Sequence, residues 1–310
     1  MSGVARQRYK FLTEFAICPR GTRYACGAIC PFGTRKGTLY HIAKESAKVS
    51  TNPGLAGYIT TPADRDLVEV KMICFLTSRM DVPDTGKLNS ANFFIEELRL
   101  RFPNPCRALD ICSDPDSWDI MDYYAALTKK MFEDAGFAFE QFYTLDSRNE
   151  GLAAKLVRES NFLILAGGHV PTQNHFFDKI RLRGLLKNYE GIVIGISAGS
   201  MNSADVVYAL PEQEGEAIDP AYQRFLTGLN LTKTNLIPHY QENKDYVLDG
   251  LRIYEDIACL DSRGRTFYAI PDGSYLFVDA GKKEELRGEA YMVRDGFIRQ
   301  ISSRGEVVTL

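Results

Sequence analysis

From about residue 68 onward, short apolar runs rich in β-branched residues alternate with segments that carry apolar side chains at helical spacing. This alternation restricts the fold more than any other feature of the chain. "LVEVKMICFLTS", "CRALDIC", "FAFEQFYTLD", "NFLILAGG" and "GIVIGIS" read as five strands. Between them lie "SANFFIEELRLRF", "DIMDYYAALTKKMFEDAG", "NEGLAAKLVRES" and "QNHFFDKIRLRGLLKNY", which read as helices. In the first of these Phe93, Ile95, Leu98 and Leu100 fall on one repeat and Ser90 stands as N-cap, with Asn92 and Glu96 nearby; the second ends at Gly136. Strands without polar alternation are buried on both faces, and their rhythm with helices predicts an α/β fold: a mostly parallel, doubly wound sheet with helices on both faces. Sites in such sheets form beyond the carboxyl ends of the strands, so Gly167-Gly168 and the Gly195 to Gly199 turn are expected side by side.

Composition narrows the remaining choices. A chain of 310 residues with 45% apolar content can bury one large core, or one core plus an appendage. A net charge of −3 carries no basic excess, so no nucleic-acid partner is expected. No apolar run approaches the roughly 20 residues of a membrane-spanning helix, so no membrane partner is expected either. The 7 cysteines are irregularly spaced and no apolar signal segment follows the first methionine. That usage predicts reduced thiols in a cytoplasmic protein. Residues 1–66 hold no sustained period of 2 or 3.6 and read as a poorly structured extension ahead of an α/β domain spanning 67–310. Cys18, Cys26, Cys30 and His41 raise the idea of a zinc knuckle, but no C-x-x-C pair accompanies them, and no metal or cofactor is expected. Met72, opening "MICFLTS", is a candidate start of the native product.

After residue 200 the character changes. "LPEQEGEAIDPAYQRF" is an acidic, turn-rich insertion, "NLIPHY" a short strand or turn, and "KDYVLDGLRIYEDIACLDSRG" a helix plus turn. "TFYAIPDGSYLFVD" and "EAYMVRDGFIRQI" each read as strand–turn–strand, with Asp272-Gly273 and Asp295-Gly296 as the turns.

The residues with chemistry cluster at the strand ends. Gly195-Ile196-Ser197-Ala198-Gly199 matches G-x-S-x-G, the strained strand-to-helix turn that projects a serine hydroxyl from a sheet. Its apolar strand and small following residues support that context. Ser197 is therefore the candidate nucleophile, and the N–H of Ala198 a candidate oxyanion donor. Gly168 could supply a second donor; Gly167, His169 and Gln173 are candidate substrate contacts. Of the 4 histidines, His239 is favoured as general base because "NLIPHY" would deliver it to the carboxyl edge, with His169 as rival. Glu212, Glu214, Glu216 and Asp272 are all open as the acid that orients the base.

"LILAGG", "GISAGS", "GLNLTKTNLIPHY" and "YAIPDGSYL" occur in the order and with spacing similar to the serine peptidase family of dipeptidase E (aspartyl dipeptidase) and cyanophycinase. The chain resembles that family over roughly residues 70–305. The resemblance implies a class I glutamine amidotransferase-like, flavodoxin-like fold, Ser197 as nucleophile, His239 as base, and Gly168 and Ala198 as the oxyanion hole. It offers Asp272 or Glu214 as the acid and favours Asp272, where the family pattern carries Glu. It further implies acyl transfer on small or unusual peptides without a metal, and a homodimer as the assembly. The stretch after the elbow lacks Arg and Lys, so an acidic substrate would need Arg181, Arg183 or Arg224, whereas an arginine-bearing one suits the acidic rim. Two other readings compete. An α/β-hydrolase esterase would usually carry its histidine near the chain end, and His239 is the last here. A catalytically silent binding or regulatory protein would be favoured by loss of the nucleophile or base.

Overall fold

The computed structural model describes residues 72–279 and 284–310. The expectations for residues 1–66, including the zinc knuckle, lie outside the described residues. The apolar runs form five strands: β1 (Ile73–Thr77), β2 (Arg107–Ile111), β4 (Phe162–Leu165) and β5 (Ile192–Ile196) are buried on both faces, while β3 (Gln141–Leu145) is the edge strand and exposes Gln141 and Tyr143. Four helices accompany them, α1 (Phe94–Arg99), α2 (Trp118–Asp134), α3 (Ala153–Glu159) and α4 (Val170–Lys179). A fifth, the short α5 (Ala198–Asn202), opens directly after β5.

The first five strands pair in parallel in the order β3-β2-β4-β5-β1, as expected of a doubly wound sheet. The first strand lies beyond the fifth, which departs from the flavodoxin order in which it sits between the second and third. The sheet continues past β1 with three antiparallel strands, β10 (Tyr275–Asp279), β11 (Glu285–Arg287) and β14 (Val307–Thr309). One side packs Phe75, Phe94, Leu98, Phe132, Phe162 and Phe277 into a largely aromatic core. A second sheet comes from the C-terminal third: β8 (Asn235–Ile237), β9 (Thr266–Ala269), β12 (Ala290–Arg294) and β13 (Phe297–Ser302), in the order β8-β9-β12-β13. Phe267 of β9 stacks on Tyr208 with ring centroids 4.1 Å apart. Tyr208 belongs to the pair β6 (Val206–Tyr208) and β7 (Phe225–Thr227).

Five expectations are corrected. In "SANFFIEELRLRF" the buried face is Phe94 and Leu98, while Phe93 is 65% exposed and Leu100 points outward; Asn92 and Phe93 adopt left-handed backbone angles that shift the register. Ser90 makes no side-chain cap bond. The helix expected over 173–189 is interrupted at Arg181 (φ 56°), and a single turn, Leu182–Leu185, follows. "KDYVLDGLRIYEDIACLDSRG" begins as a small hairpin, Val247–Leu248 with Leu251–Arg252, before its helical turn. The strands flanking Asp272-Gly273 do not pair with each other: β9 lies in the second sheet and β10 in the main one. Among the described residues no helix is long and apolar enough to cross a membrane. Cys74, Cys106, Cys112 and Cys259 are free and buried.

Candidate active site

Strand β5 sits between β1 and β4 near the middle of the main sheet, and the chain reverses sharply at its end. Ser197 takes φ 49° and ψ −107°, a backbone state that costs about 1–3 kcal/mol for a non-glycine residue and must be held by its surroundings. The holding contacts are visible. Ser197 N–H donates to Thr77 O (3.1 Å), Ser200 Oγ donates to the same carbonyl (2.7 Å), and Thr77 Oγ1 donates to Gly195 O (2.8 Å). Gly199 lets α5 sit on β4, since a Cβ there would lie 2.1 Å from Leu165 O. The turn thus lifts the Ser197 hydroxyl out of the sheet edge.

His239 follows β8 and has a left-handed backbone (φ 59°). Its Nε2 lies 2.9 Å from Ser197 Oγ, and its Nδ1 lies 2.8 Å from Asp272 Oδ1. A carboxylate only accepts, so the imidazole proton belongs on Nδ1 and Nε2 is the acceptor facing the serine hydroxyl. Burial alone would lower the imidazole pKa; the hydrogen bond and charge of Asp272, with Glu242 and Glu212 behind it, outweigh that and raise it. Asp272 moves the other way. Burial opposes its charge, but His239, Ser78 and Arg79 together hold its carboxyl below the ordinary range.

The loop 209–224 reaches the Gly168 turn through Glu216, which pairs with His169, and Asp249 pins the loop by accepting the N–H groups of Gly215 (2.8 Å) and Ala217 (3.0 Å). His169, beside Gly168, shares Nδ1 with Thr172 Oγ1 (2.7 Å), and its Nε2 is 2.9 Å from Glu216 Oε1. Glu216 is pushed up by burial yet ends below the usual carboxylate range, because His169 and the N–H groups of Glu212 and Gln213 bond to it. Gly167 abuts the elbow: a Cβ on it would stand 3.6 Å from Ser197 Cβ. Among the described residues no hydrogen bond engages the N–H of Gly168 or Ala198. Both lie at the turns flanking Ser197.

The sequence-based candidates therefore divide. Ser197, His239 and Asp272 come together, with Gly167, Gly168 and Ala198 around them. His169 is close to the turn but engaged by Thr172 and Glu216. Gln173 is not available to substrate. It is fully buried, its Nε2 donates to Ala166 O (2.6 Å), and its Oε1 accepts from Asn202 (3.0 Å). Glu214 is exposed, and the imidazole pairs with Asp272 instead. The sequence reading passed over Ser78, which is fully buried between Asp272 and the backbone of His239; its position after β1 was the available signal. It also passed over Gln241, whose Oε1 accepts the backbone N–H of Asp272 at 3.0 Å.

His239, Glu242 and Asp272 are the described residues that could gather round a metal ion. Two ligands of a tetrahedral zinc stand about 3.3 Å apart given bond lengths near 2.0 Å. The 2.8 Å separation of His239 Nδ1 and Asp272 Oδ1 is that of a shared proton.

A strained serine on a strand-to-helix turn, in contact with an imidazole that is itself backed by a carboxylate, defines the serine hydrolase class of site. The model of peptidase family S51 matches residues 115–286, more than half of the chain, and the chain belongs to that family of serine-type peptidases. No curated protein matches the sequence. Among solved structures, the chain is similar to a peptidase from an acI-B1 actinobacterium, with 15% identity and a TM-score of 0.53 over 77% of this chain and 97% of that one. A protein from Listeria monocytogenes EGD-e assigned to peptidase E aligns at 15% identity and a TM-score of 0.48, over 74% of this chain and 99% of that one. At such identity the likeness of the first concerns the fold.

Proposed function

We propose that the chain cleaves small or unusual peptides, in the manner of dipeptidase E or cyanophycinase, through a Ser197–His239–Asp272 triad and an acyl-enzyme. One observation carries this reading: the unbroken run from Ser197 Oγ to His239 Nε2 (2.9 Å) and from His239 Nδ1 to Asp272 Oδ1 (2.8 Å). His239 takes the hydroxyl proton as Ser197 Oγ attacks the peptide carbonyl. The N–H groups of Gly168 and Ala198 stabilise the oxyanion. His239 then gives the proton to the departing amine. Water, activated by the same imidazole, releases the acid and restores Ser197. Asp272 keeps the imidazole in the required tautomer and stabilises its cation.

The charges support peptides with neutral or cationic ends over acidic ones. Glu212 and Glu242 act on the imidazole. Arg183 lies 2.7 Å from Asp205, and Arg224 lies 3.6 Å from Asp261, so these cations are already engaged. An aspartyl peptide turned over faster than its arginyl counterpart would reverse this part of the reading. The mechanism is tested by intact-mass labelling with a fluorophosphonate. One adduct on the wild type, lost in Ser197→Ala and His239→Ala, is the expected result. A folded wild type that takes no adduct would overturn the triad and favour a catalytically silent binding protein.

A further inference from the structure

The serine and the histidine both carry left-handed backbone angles, so neither is held by regular secondary structure alone. Each is tied to one of two adjacent residues, Thr77 at the end of β1 and Ser78 just after it. Thr77 O accepts the N–H of Ser197 at 3.1 Å. Ser78 Oγ accepts the N–H of His239 at 2.8 Å and donates to Asp272 Oδ1 at 2.8 Å. Ser78 N–H in turn donates to Ser274 O (3.2 Å), across the turn that carries Asp272. The Ser78 hydroxyl is wholly buried, and its donor and one acceptor site are both used.

We infer that Ser78 is a positioning residue for the hydrolytic reaction: its hydroxyl sets base and acid in register with each other, and with the Ser197 elbow held by the adjacent Thr77. The inference rests on the triad reading above. Its physical content is that one hydroxyl performs two tasks. It satisfies the N–H of a residue in a strained conformation, which fixes where the imidazole is rooted. It also draws on the Asp272 oxygen that receives Nδ1–H, which fixes the direction of that bond and limits how strongly the carboxylate attracts the imidazolium proton. Alanine would remove both effects while leaving every charge in place. Asp272, Glu242 and Glu212 would still face the imidazole, and Arg79 would still face Asp272.

The test is the rate of fluorophosphonate labelling of Ser197 across pH 5 to 9, with thermal unfolding measured alongside. Ser78→Ala is expected to label about 10–100-fold more slowly than wild type, up to the cost of a catalytic group misplaced by about 1 Å. Its acid limb should move to higher pH, because Asp272 Oδ1 then has His239 as its remaining donor. Ser262→Ala is the control for a merely structural loss. That serine is also fully buried, donating to Cys259 O (2.7 Å) and accepting the N–H of Gly296 (3.0 Å), yet it lies by the β12–β13 turn. It should lose stability and keep the wild-type rate and pH profile. Ser78→Cys, nearly isosteric but a weak donor, covers the case in which Ser78→Ala does not fold, and should also label slowly with an upward-shifted limb. A Ser78 variant with the wild-type rate and profile overturns the inference, as does equal slowing in Ser262→Ala. An unlabelled wild type would bring down the triad reading and this inference together, whereas a labelled wild type with unaffected Ser78 variants brings down this inference alone.

Discussion

Two Asp-Gly turns, twenty-three residues apart, are alike as sequence and opposite as structure. At Asp295-Gly296 both residues have positive φ (50° and 89°), and the flanking strands β12 and β13 pair antiparallel through that turn. This is the tight hairpin geometry that an Asp-Gly pair favours. At Asp272-Gly273 the glycine alone has positive φ (86°), and the flanking strands leave for different sheets. Ile270 N–H still bonds to Ile237 O beside β8, while Ser78 N–H bonds to Ser274 O beside β1. The turn therefore bridges the two sheets, and its aspartate ends beside a histidine brought by the second sheet. A turn dipeptide fixes a local reversal; the partners of the flanking strands fix what the reversal presents.

The comparison is broken most severely by the aspartates. Asp272→Asn should cut the fluorophosphonate labelling rate about 10³–10⁴-fold, because an amide at this position favours the wrong imidazole tautomer. Asp295→Asn should leave the rate unchanged. Equal rates in the two variants would remove the distinction between the turns.

The pH profile sharpens it. In the proposed mechanism His239 must be neutral to act, so the rate is expected to fall as pH drops through its pKa. Since Asp272 raises that pKa, the acid limb should lie above the ordinary imidazole value of about 6.5. Asp272→Asn removes the largest raising influence and leaves burial opposed only by Glu242 and Glu212, so the residual activity should keep its acid limb at lower pH. Asp295→Asn should not move it. A limb shifting upward in Asp272→Asn would contradict the assignment of the raising charge.

The glycines should differ less. Gly296→Ala meets nothing nearer than Cys259 O at 4.0 Å and should cost about 1 kcal/mol of stability for its positive φ. Gly273→Ala would also place its methyl 2.9 Å from Asn89 Nδ2 and 3.2 Å from Ala91 Cβ, so a cost of about 2 kcal/mol or more is expected. Thermal unfolding of both variants decides the order. The smallest effect belongs to Glu214→Gln: an exposed substitution of this kind should change stability by less than about 0.5 kcal/mol and leave the labelling rate as it was.

The parallel part of the sheet was legible because four of its five strands are buried on both faces and announce themselves as apolar runs. The elbow was legible because strand, turn and helix are consecutive. The α1 face was misread by one position, since Asn92 and Phe93 take left-handed angles that no apolar spacing signals. Gln173 was misassigned because proximity in sequence to Gly168 says nothing about side-chain direction. It turns inward to Ala166 and Asn202. Ser78 escaped notice because a serine after a strand is ordinary until its two partners, 161 and 194 residues away, are known.

Taken alone, the sequence determined the α/β rhythm, the serine at the strand-to-helix turn and the histidine that could serve it. All three follow from local periodicity or from a short list of candidates. Pairing His239 with Asp272 rather than with a glutamate, turning Gln173 into a buried strut and setting Ser78 between the His239 N–H and Asp272 Oδ1 were decided by tertiary structure. Each depends on which sheet a strand joins, and that is settled by burial across the whole core rather than by the residues beside the site.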